Sequence, residues 1–240
     1  MLKVANQVTK EYRVIIPDLP GHGNTTAPGI TSYRASEQAT RLEAFLNQAI
    51  GKRKIHLVGC SMGGLIAGTF AAMFPERIDT VTLICPAGLS MPKRSKLLQI
   101  YEDTGENYMR ATTPDEFARL HSYMFHTPRK LPRWIAKAVA KERVKKGATL
   151  EQLMDDIWRD FQALDNKIDH IKSPCHVIWG YNDKVLDNSS IELLRKAIPK
   201  NQLTVHVLAQ AGHAVHQEKH DEVAKLIHDY LNQINYKAIT

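Results

Sequence analysis

Apolar residues in this chain gather in two kinds of run. The first is short and almost continuous: residues 13–17 (RVIIP), 54–59 (KIHLVG), 80–85 (TVTLIC), 175–180 (CHVIWG) and 203–208 (LTVHVL). Strands covered by helices on both faces show this near-continuous character in place of strict alternation. The second is helical in pattern, over 35–50 closed by Gly51, 62–74 stopped by Pro75, 190–198 stopped by Pro199, and 221–234. Strand and helix alternate. The expected fold class is therefore α/β, with a doubly wound, mostly parallel sheet.

Between residues 89 and 172 the strand pattern disappears. Thr113-Pro114-Asp115-Glu116 supplies an N-cap, a proline at the first helical position and a glutamate at N3, which together mark a helix start. Thr149 with Gln152 predicts a second capping box, and Leu131, Trp134, Ile135, Ala138 and Val139 fall at helical spacing on one expected apolar face. The division that follows is a core over 1–88, a helical lid over 89–172 and the remainder of the core over 173–240.

Residues 55–75 carry no formal charge and have small-xxx-small spacing at Gly59/Gly63 and Gly64/Gly68, so a transmembrane helix competes here. Four glycines count against one continuous helix, whereas a strand, a tight turn and a helix fit the same residues.

Composition adds limits. A chain of 240 residues, 43% hydrophobic and 24% charged, can bury one large core. A net charge of +7 permits an anionic partner without requiring one, and no nucleic-acid module accompanies the charge. Cys60, Cys85 and Cys175 are few, widely spaced and set in apolar runs. They read as buried free thiols of a reducing compartment, neither a disulfide framework nor a metal site. No basic-then-apolar segment opens the chain, so a cytoplasmic location is the expectation.

Three short segments carry candidate chemistry. In Gly59-Cys60-Ser61-Met62-Gly63-Gly64, a serine sits between a strand and a helix, flanked by glycines that a sharp turn would need. Such a turn lifts the hydroxyl clear of the sheet and aims helix N-terminal N–H groups at developing negative charge. The competing reading is a plain glycine-rich turn; a phosphate loop lacks its G-K-[ST] ending. In Ile178-Trp179-Gly180-Tyr181-Asn182-Asp183 an aspartate follows a strand end, with Asp187 as a rival and a simple Asx turn as the alternative. Gly212-His213 follows the last strand, with His216 and His220 as rivals. The order Ser61, Asp183, His213, each just after a different strand, is that of a nucleophile, an orienting acid and a base.

These stretches, together with Pro17-Asp18-Leu19-Pro20-Gly21-His22-Gly23, Cys85-Pro86-Ala87-Gly88-Leu89, Val185-Leu186-Asp187 and Glu218, resemble the α/β-hydrolase superfamily over nearly the whole chain. Within it they are most similar to monoacylglycerol lipases and related bacterial lipases. The resemblance implies Ser61 as nucleophile, His213 as base, Asp183 as its orienting acid and the Met62 N–H as an oxyanion donor. It implies no metal or organic cofactor, a lipid ester substrate and no obligate protein partner. A lid with Leu131, Trp134 and Ile135 against substrate is expected. Residues 127–150 carry eight basic residues, Arg129, Lys130, Arg133, Lys137, Lys141, Arg143, Lys145 and Lys146, against Glu142. That helix could face an anionic membrane, or its charges could simply be solvated.

One departure from the family bears on activity. Its third strand and the His-Gly loop after it, which provides a second oxyanion donor, should precede residues 17–23 and do not occur here. The missing strand would lie between those expected at 13–17 and 54–59. The expectation is a longer natural N-terminus that carries those strands, with or without a membrane anchor; the alternative is a genuine short form that is poorly folded or inactive. Two competing functions share the scaffold. A carbon–carbon bond hydrolase tends to carry tryptophan where this chain has Ala214, and a non-catalytic ligand receptor would need no complete oxyanion hole.

Overall fold

A computed structural model describes the chain apart from Lys10, Ala27, Pro28 and Thr240, with side chains described as far as Ile234. Four strands form one sheet: β1 (Ile55–Cys60), β2 (Ile78–Ile84), β3 (Cys175–Gly180) and β4 (Leu203–Leu208). They lie in the order β1-β2-β3-β4, and every neighbouring pair is parallel. β2 and β3 occupy the centre, and Val81, Leu83, Ile84, Val177, Ile178 and Trp179 are fully buried there. This is why their sequence shows no polar alternation.

Helices α1 (Leu2–Val8), α2 (Ala35–Ile50), α3 (Met62–Met73), α7 (Ile191–Ala197) and α9 (His220–Ile239) accompany the sheet. α3 packs over β1 and β2 with α2 outside it, while α1 packs on α9. Between β2 and β3 lie α4 (Lys96–Thr104), α5 (Pro114–Met124) and α6 (Arg133–Arg159). α5 begins with the expected capping box: Thr113 accepts from the Glu116 N–H, and Glu116 accepts from the Thr113 N–H. α8 is a single turn, Val215–Glu218. No helix among the described residues is long and apolar enough to cross a membrane, and residues 55–75 divide into β1, a turn and α3.

Three expectations are corrected. Residues 13–17 form no strand; they pair with no neighbour, and Val14, Ile15 and Ile16 are exposed. A strand is held by its neighbour's backbone, and among the described residues β1 is bordered by β2 alone. Thr149 and Gln152 do not form a capping box: Thr149 lies inside the helix, and the Gln152 amide group donates to the Thr31 carbonyl. The helix breaks two residues earlier, at Gly147 (φ 29°, ψ −109°), the one residue type that takes that conformation without strain. The inward face of α6 is set by Ala136 and Ala140, with Ile135 and Val139 half-buried. Trp134 and Ala138 turn outward. Large and small apolar residues at helical spacing fit two adjacent faces, and here the small alanines take the buried one.

The insert between β2 and β3 is rooted by buried acids. Asp156 accepts from the Tyr33 N–H at 2.6 Å. Asp160 accepts from the Ala35 N–H at 2.6 Å, capping the first turn of α2, and from the Arg34 guanidinium at 2.6 Å.

Candidate active site

Strand register decides where the candidate residues emerge. Cys60 pairs with Ile84, Ile84 with Ile178, and Gly180 with Leu208, so the carboxyl ends of β1, β3 and β4 reach one edge. Ser61 follows β1 directly, Asp183 lies three residues past β3, and His213 five past β4. Ser61 therefore meets two residues more than a hundred positions away in sequence, at the sheet edge where such folds place their ligands.

Ser61 stands at φ 55°, ψ −119°, as the N-cap of α3. A residue with a side chain holds this strained geometry only where its surroundings enforce it. Here the Ser61 N–H donates to the Ile84 carbonyl at 2.9 Å, while its own carbonyl accepts from Ala87 at 3.0 Å. The turn is also closed by contact: a Cβ on Gly59 would lie 2.1 Å from the Gly63 carbonyl oxygen, and one on Gly64 would lie 2.8 Å from Pro86. Gly63 itself has open space around it, so Gly59 and Gly64 carry the steric requirement. Met62 is the first residue of α3, and first-turn N–H groups have no intrahelical acceptor.

The three candidates form one hydrogen-bonded line. His213 Nε2 lies 2.9 Å from Ser61 Oγ, and His213 Nδ1 lies 2.8 Å from Asp183 Oδ2. A carboxylate only accepts, so Nδ1 carries the proton and Nε2 is left to accept from the hydroxyl. Asp183 and His213 are both buried. The carboxylate is held by further donors: Val185 N–H at 2.8 Å and Leu186 N–H at 2.9 Å on Oδ1, and the Trp179 indole at 3.1 Å on Oδ2. Trp179 also donates to the Leu186 carbonyl at 3.1 Å, which ties the loop to the strand it leaves.

The rivals go elsewhere. Asp187 accepts from the Ser189 N–H as a turn cap. His216 contacts Cys60 Sγ at 3.4 Å, and burial holds its pKa down at about 4. His220 lies 3.4 Å from the Gln217 carbonyl. Of the three thiols, Cys85 and Cys175 are buried and Cys60 is half-buried. Burial pushes the Cys60 thiol up to about 12, so it is protonated beside Ser61 and offers no competing thiolate.

Cys85, Asp183 and His213 present donor atoms within 4.8 Å of one another. The Asp183–His213 pair is already joined through a proton, and burial raises the Cys85 thiol well above its ordinary range. A metal would need that thiol ionised, so this donor set suits hydrogen bonding better than coordination.

Two supporting residues escape a sequence reading. The role of Trp179 depends on its indole turning toward a residue four positions later. Glu218, noted only through family resemblance, accepts from the Gly212 N–H at 2.6 Å and the His126 N–H at 2.9 Å. Among the residues expected on the lid, Leu131 and Ile135 are half-buried, whereas Trp134 is 73% exposed on the outer face.

Comparison with known proteins agrees with this fold. A family model described as alpha/beta hydrolase fold matches residues 2–220. Monoacylglycerol lipase ABHD6 of Mus musculus is 30% identical over 243 residues, covering 98% of this chain and 72% of the relative. Lipase 1 of Psychrobacter immobilis is 29% identical over 237 residues, covering 98% and 71%. Among solved structures, a bacterial membrane phospholipase A superposes with a TM-score of 0.89 at 32% identity, over 98% of this chain and 74% of that one. The meta-cleavage product hydrolase of Pseudomonas fluorescens, at 22% identity and a TM-score of 0.81, shares the fold. Because the matched region contains the whole sheet and all three convergent side chains, the chain belongs to the alpha/beta hydrolase fold family.

Proposed function

We propose that the chain is a serine hydrolase of carboxylic esters, acting on monoacylglycerol or a similar lipid ester. The observation that carries the reading is the continuous line from Ser61 Oγ through His213 to Asp183, with links of 2.9 and 2.8 Å. In this reading His213 Nε2 takes the hydroxyl proton as Ser61 attacks the ester carbonyl. Asp183 keeps the proton on Nδ1 and stabilises the imidazolium that forms. The Met62 N–H, at the positive end of α3, donates to the oxyanion. His213 then returns the proton to the leaving alcohol, and a water deprotonated by the same imidazole releases the acid from the acyl-enzyme.

A lipid substrate is supported by the names of the similar proteins, monoacylglycerol lipase and lipase, and by the insert. Of the eight basic residues in 127–150, two are engaged by backbone carbonyls. Arg143 donates to the Ala111 and Met109 carbonyls, and Lys146 to those of Gly21 and Gly23. The other six (8 − 2), Arg129, Lys130, Arg133, Lys137, Lys141 and Lys145, are exposed. Trp134, Lys137, Lys141 and Val144 line one outward stripe, with Trp134 and Val144 more than half exposed. Exposed apolar side chains interleaved with cations suit the surface of an anionic bilayer, from which a lipid ester would be taken, with the insert as the lid.

A fluorophosphonate probe tests the mechanism. Full-length protein should label, and Ser61→Ala should not. Absence of labelling, or labelling that survives the substitution, refutes the serine mechanism and favours a ligand receptor on the same scaffold. Turnover of a carbon–carbon substrate with no ester cleaved would favour the other hydrolase class. Comparing short esters, long esters and monoacylglycerols places the substrate. Co-sedimentation with phosphatidylglycerol vesicles, lost when Trp134 and Lys137 are replaced by alanine, tests the membrane contact.

A further inference from the structure

His213 lies on the loop between β4 and α8, and its neighbours on both sides are tied to other parts of the molecule. The amide after it, Ala214 N–H, donates to the Met124 carbonyl at 2.8 Å. The amide before it, Gly212 N–H, donates to Glu218 Oε2 at 2.6 Å. The other oxygen of Glu218 accepts from the His126 N–H at 2.9 Å and the Thr127 N–H at 3.3 Å. Met124 is the last residue of α5, and His126 and Thr127 belong to the strap that leaves it and leads toward α6.

One carboxylate therefore bridges two backbone segments 86 residues apart (212 − 126). They meet without intervening side chains, since a Cβ on Gly212 would lie 2.7 Å from the His126 nitrogen. Glu218 itself ends the single turn of α8, five residues beyond His213, so its own backbone is part of the same loop structure.

We infer that Glu218 is a positioning residue that latches the strap of the helical insert onto the His213 loop, so that the imidazole is aligned with Ser61 only while the strap is seated. The latch has two sides because the carboxylate has two acceptor oxygens, one for each segment. A glutamine keeps the size of the side chain but has one acceptor, so it serves one side and turns an NH2 group toward the donors of the other. Alanine serves neither. The inference rests on His213 acting as proposed above, and it makes the position of the insert a determinant of catalytic rate.

The test combines Glu218→Gln and Glu218→Ala with two readouts, in full-length protein whose folding is checked by thermal melting. Labelling of Ser61 by a fluorophosphonate, and kcat on a soluble short-chain ester, should fall about tenfold in Glu218→Gln and further in Glu218→Ala, with KM little changed. Amide hydrogen exchange should rise together in peptides covering 124–128 and 210–214. A purely structural role would instead reduce the folded fraction and leave the kcat of folded enzyme unchanged. Wild-type kcat in both variants overturns the inference, as does faster exchange confined to one segment. If Glu218→Ala does not fold, the isosteric Glu218→Gln carries the test. If wild-type protein never labels, the hydrolase reading has failed, and the paired exchange response still decides the latch.

Discussion

Replacing Trp179 by phenylalanine separates support of the acid from its presence. The indole N–H donates to Asp183 Oδ2 and to the Leu186 carbonyl, each at 3.1 Å, and the ring is fully buried. Phenylalanine keeps most of the apolar contact and removes the donor. A hydrogen bond to a charged group contributes about 1.5–3 kcal/mol. With the void left by the smaller ring, unfolding free energy should drop by about 2–4 kcal/mol. For catalysis the relevant share is smaller, because Val185, Leu186 and His213 still hold the carboxylate. If misorientation withholds about 1–2 kcal/mol from the imidazolium, kcat on a soluble ester falls roughly five- to thirtyfold. Asp183→Asn, which leaves His213 facing an amide and favours the wrong tautomer, should fall by about 10⁴. Steady-state kinetics at a temperature well below both melting transitions gives the comparison. A Trp179→Phe enzyme with a lowered melting temperature and unchanged kcat would show that the indole only packs, and the positioning argument would be wrong.

Stability should also depend on pH through two histidines. Burial lowers the pKa of His176 to about 3 and that of His216 to about 4, against about 6.5 when unfolded. The unfolded chain thus binds protons between pH 6.5 and about 4 that the folded chain does not. Each histidine's contribution is complete above pH 6.5 and is lost at about 1.4 kcal/mol per unit as pH falls. Urea midpoints from pH 7 to 5 should decline, and His176→Leu should reduce the slope; an unchanged slope contradicts the assignment. Gly59→Ala should abolish Ser61 labelling, since its Cβ would strike the Gly63 carbonyl at 2.1 Å, and full labelling would refute the packing of the turn. Cys60, held near 12, should resist iodoacetamide at pH 8, and Cys60→Ala should retain activity within about threefold. Rapid alkylation would disprove the desolvated thiol.

What the sequence conveyed well is what local patterning controls. The four strands appear at the expected apolar runs, and the Thr113 cap and the stops at Gly51 and Pro75 hold. Ser61, Asp183 and His213 could be nominated because each follows such a run, and sheet register then brings them together. The failures share a different cause. An apolar run over residues 13–17 has the composition of a strand, but composition does not provide a neighbour to pair with. Spacing alone cannot tell which of two adjoining stripes of α6 meets the core; Ala136 and Ala140 are buried, while Trp134 is not. Thr149 with Gln152 matches a local signature, yet the helix break falls at Gly147 and leaves Thr149 inside the turn that follows.

Glu218 shows the same limit at the site itself. Nothing around residue 218 announces that its carboxylate will collect N–H groups from residues 126, 127 and 212, because backbone donors leave no mark in side-chain identity. The candidate triad was legible since all its members are side chains of distinctive type. The network holding it is largely backbone: Val185 and Leu186 on Asp183, Met124 on Ala214, Ile84 and Ala87 on Ser61. Such contacts depend on where segments lie. They follow from the sheet register and the seating of the insert, so a change in either should disturb His213 alignment while Ser61, Asp183 and His213 are all still present.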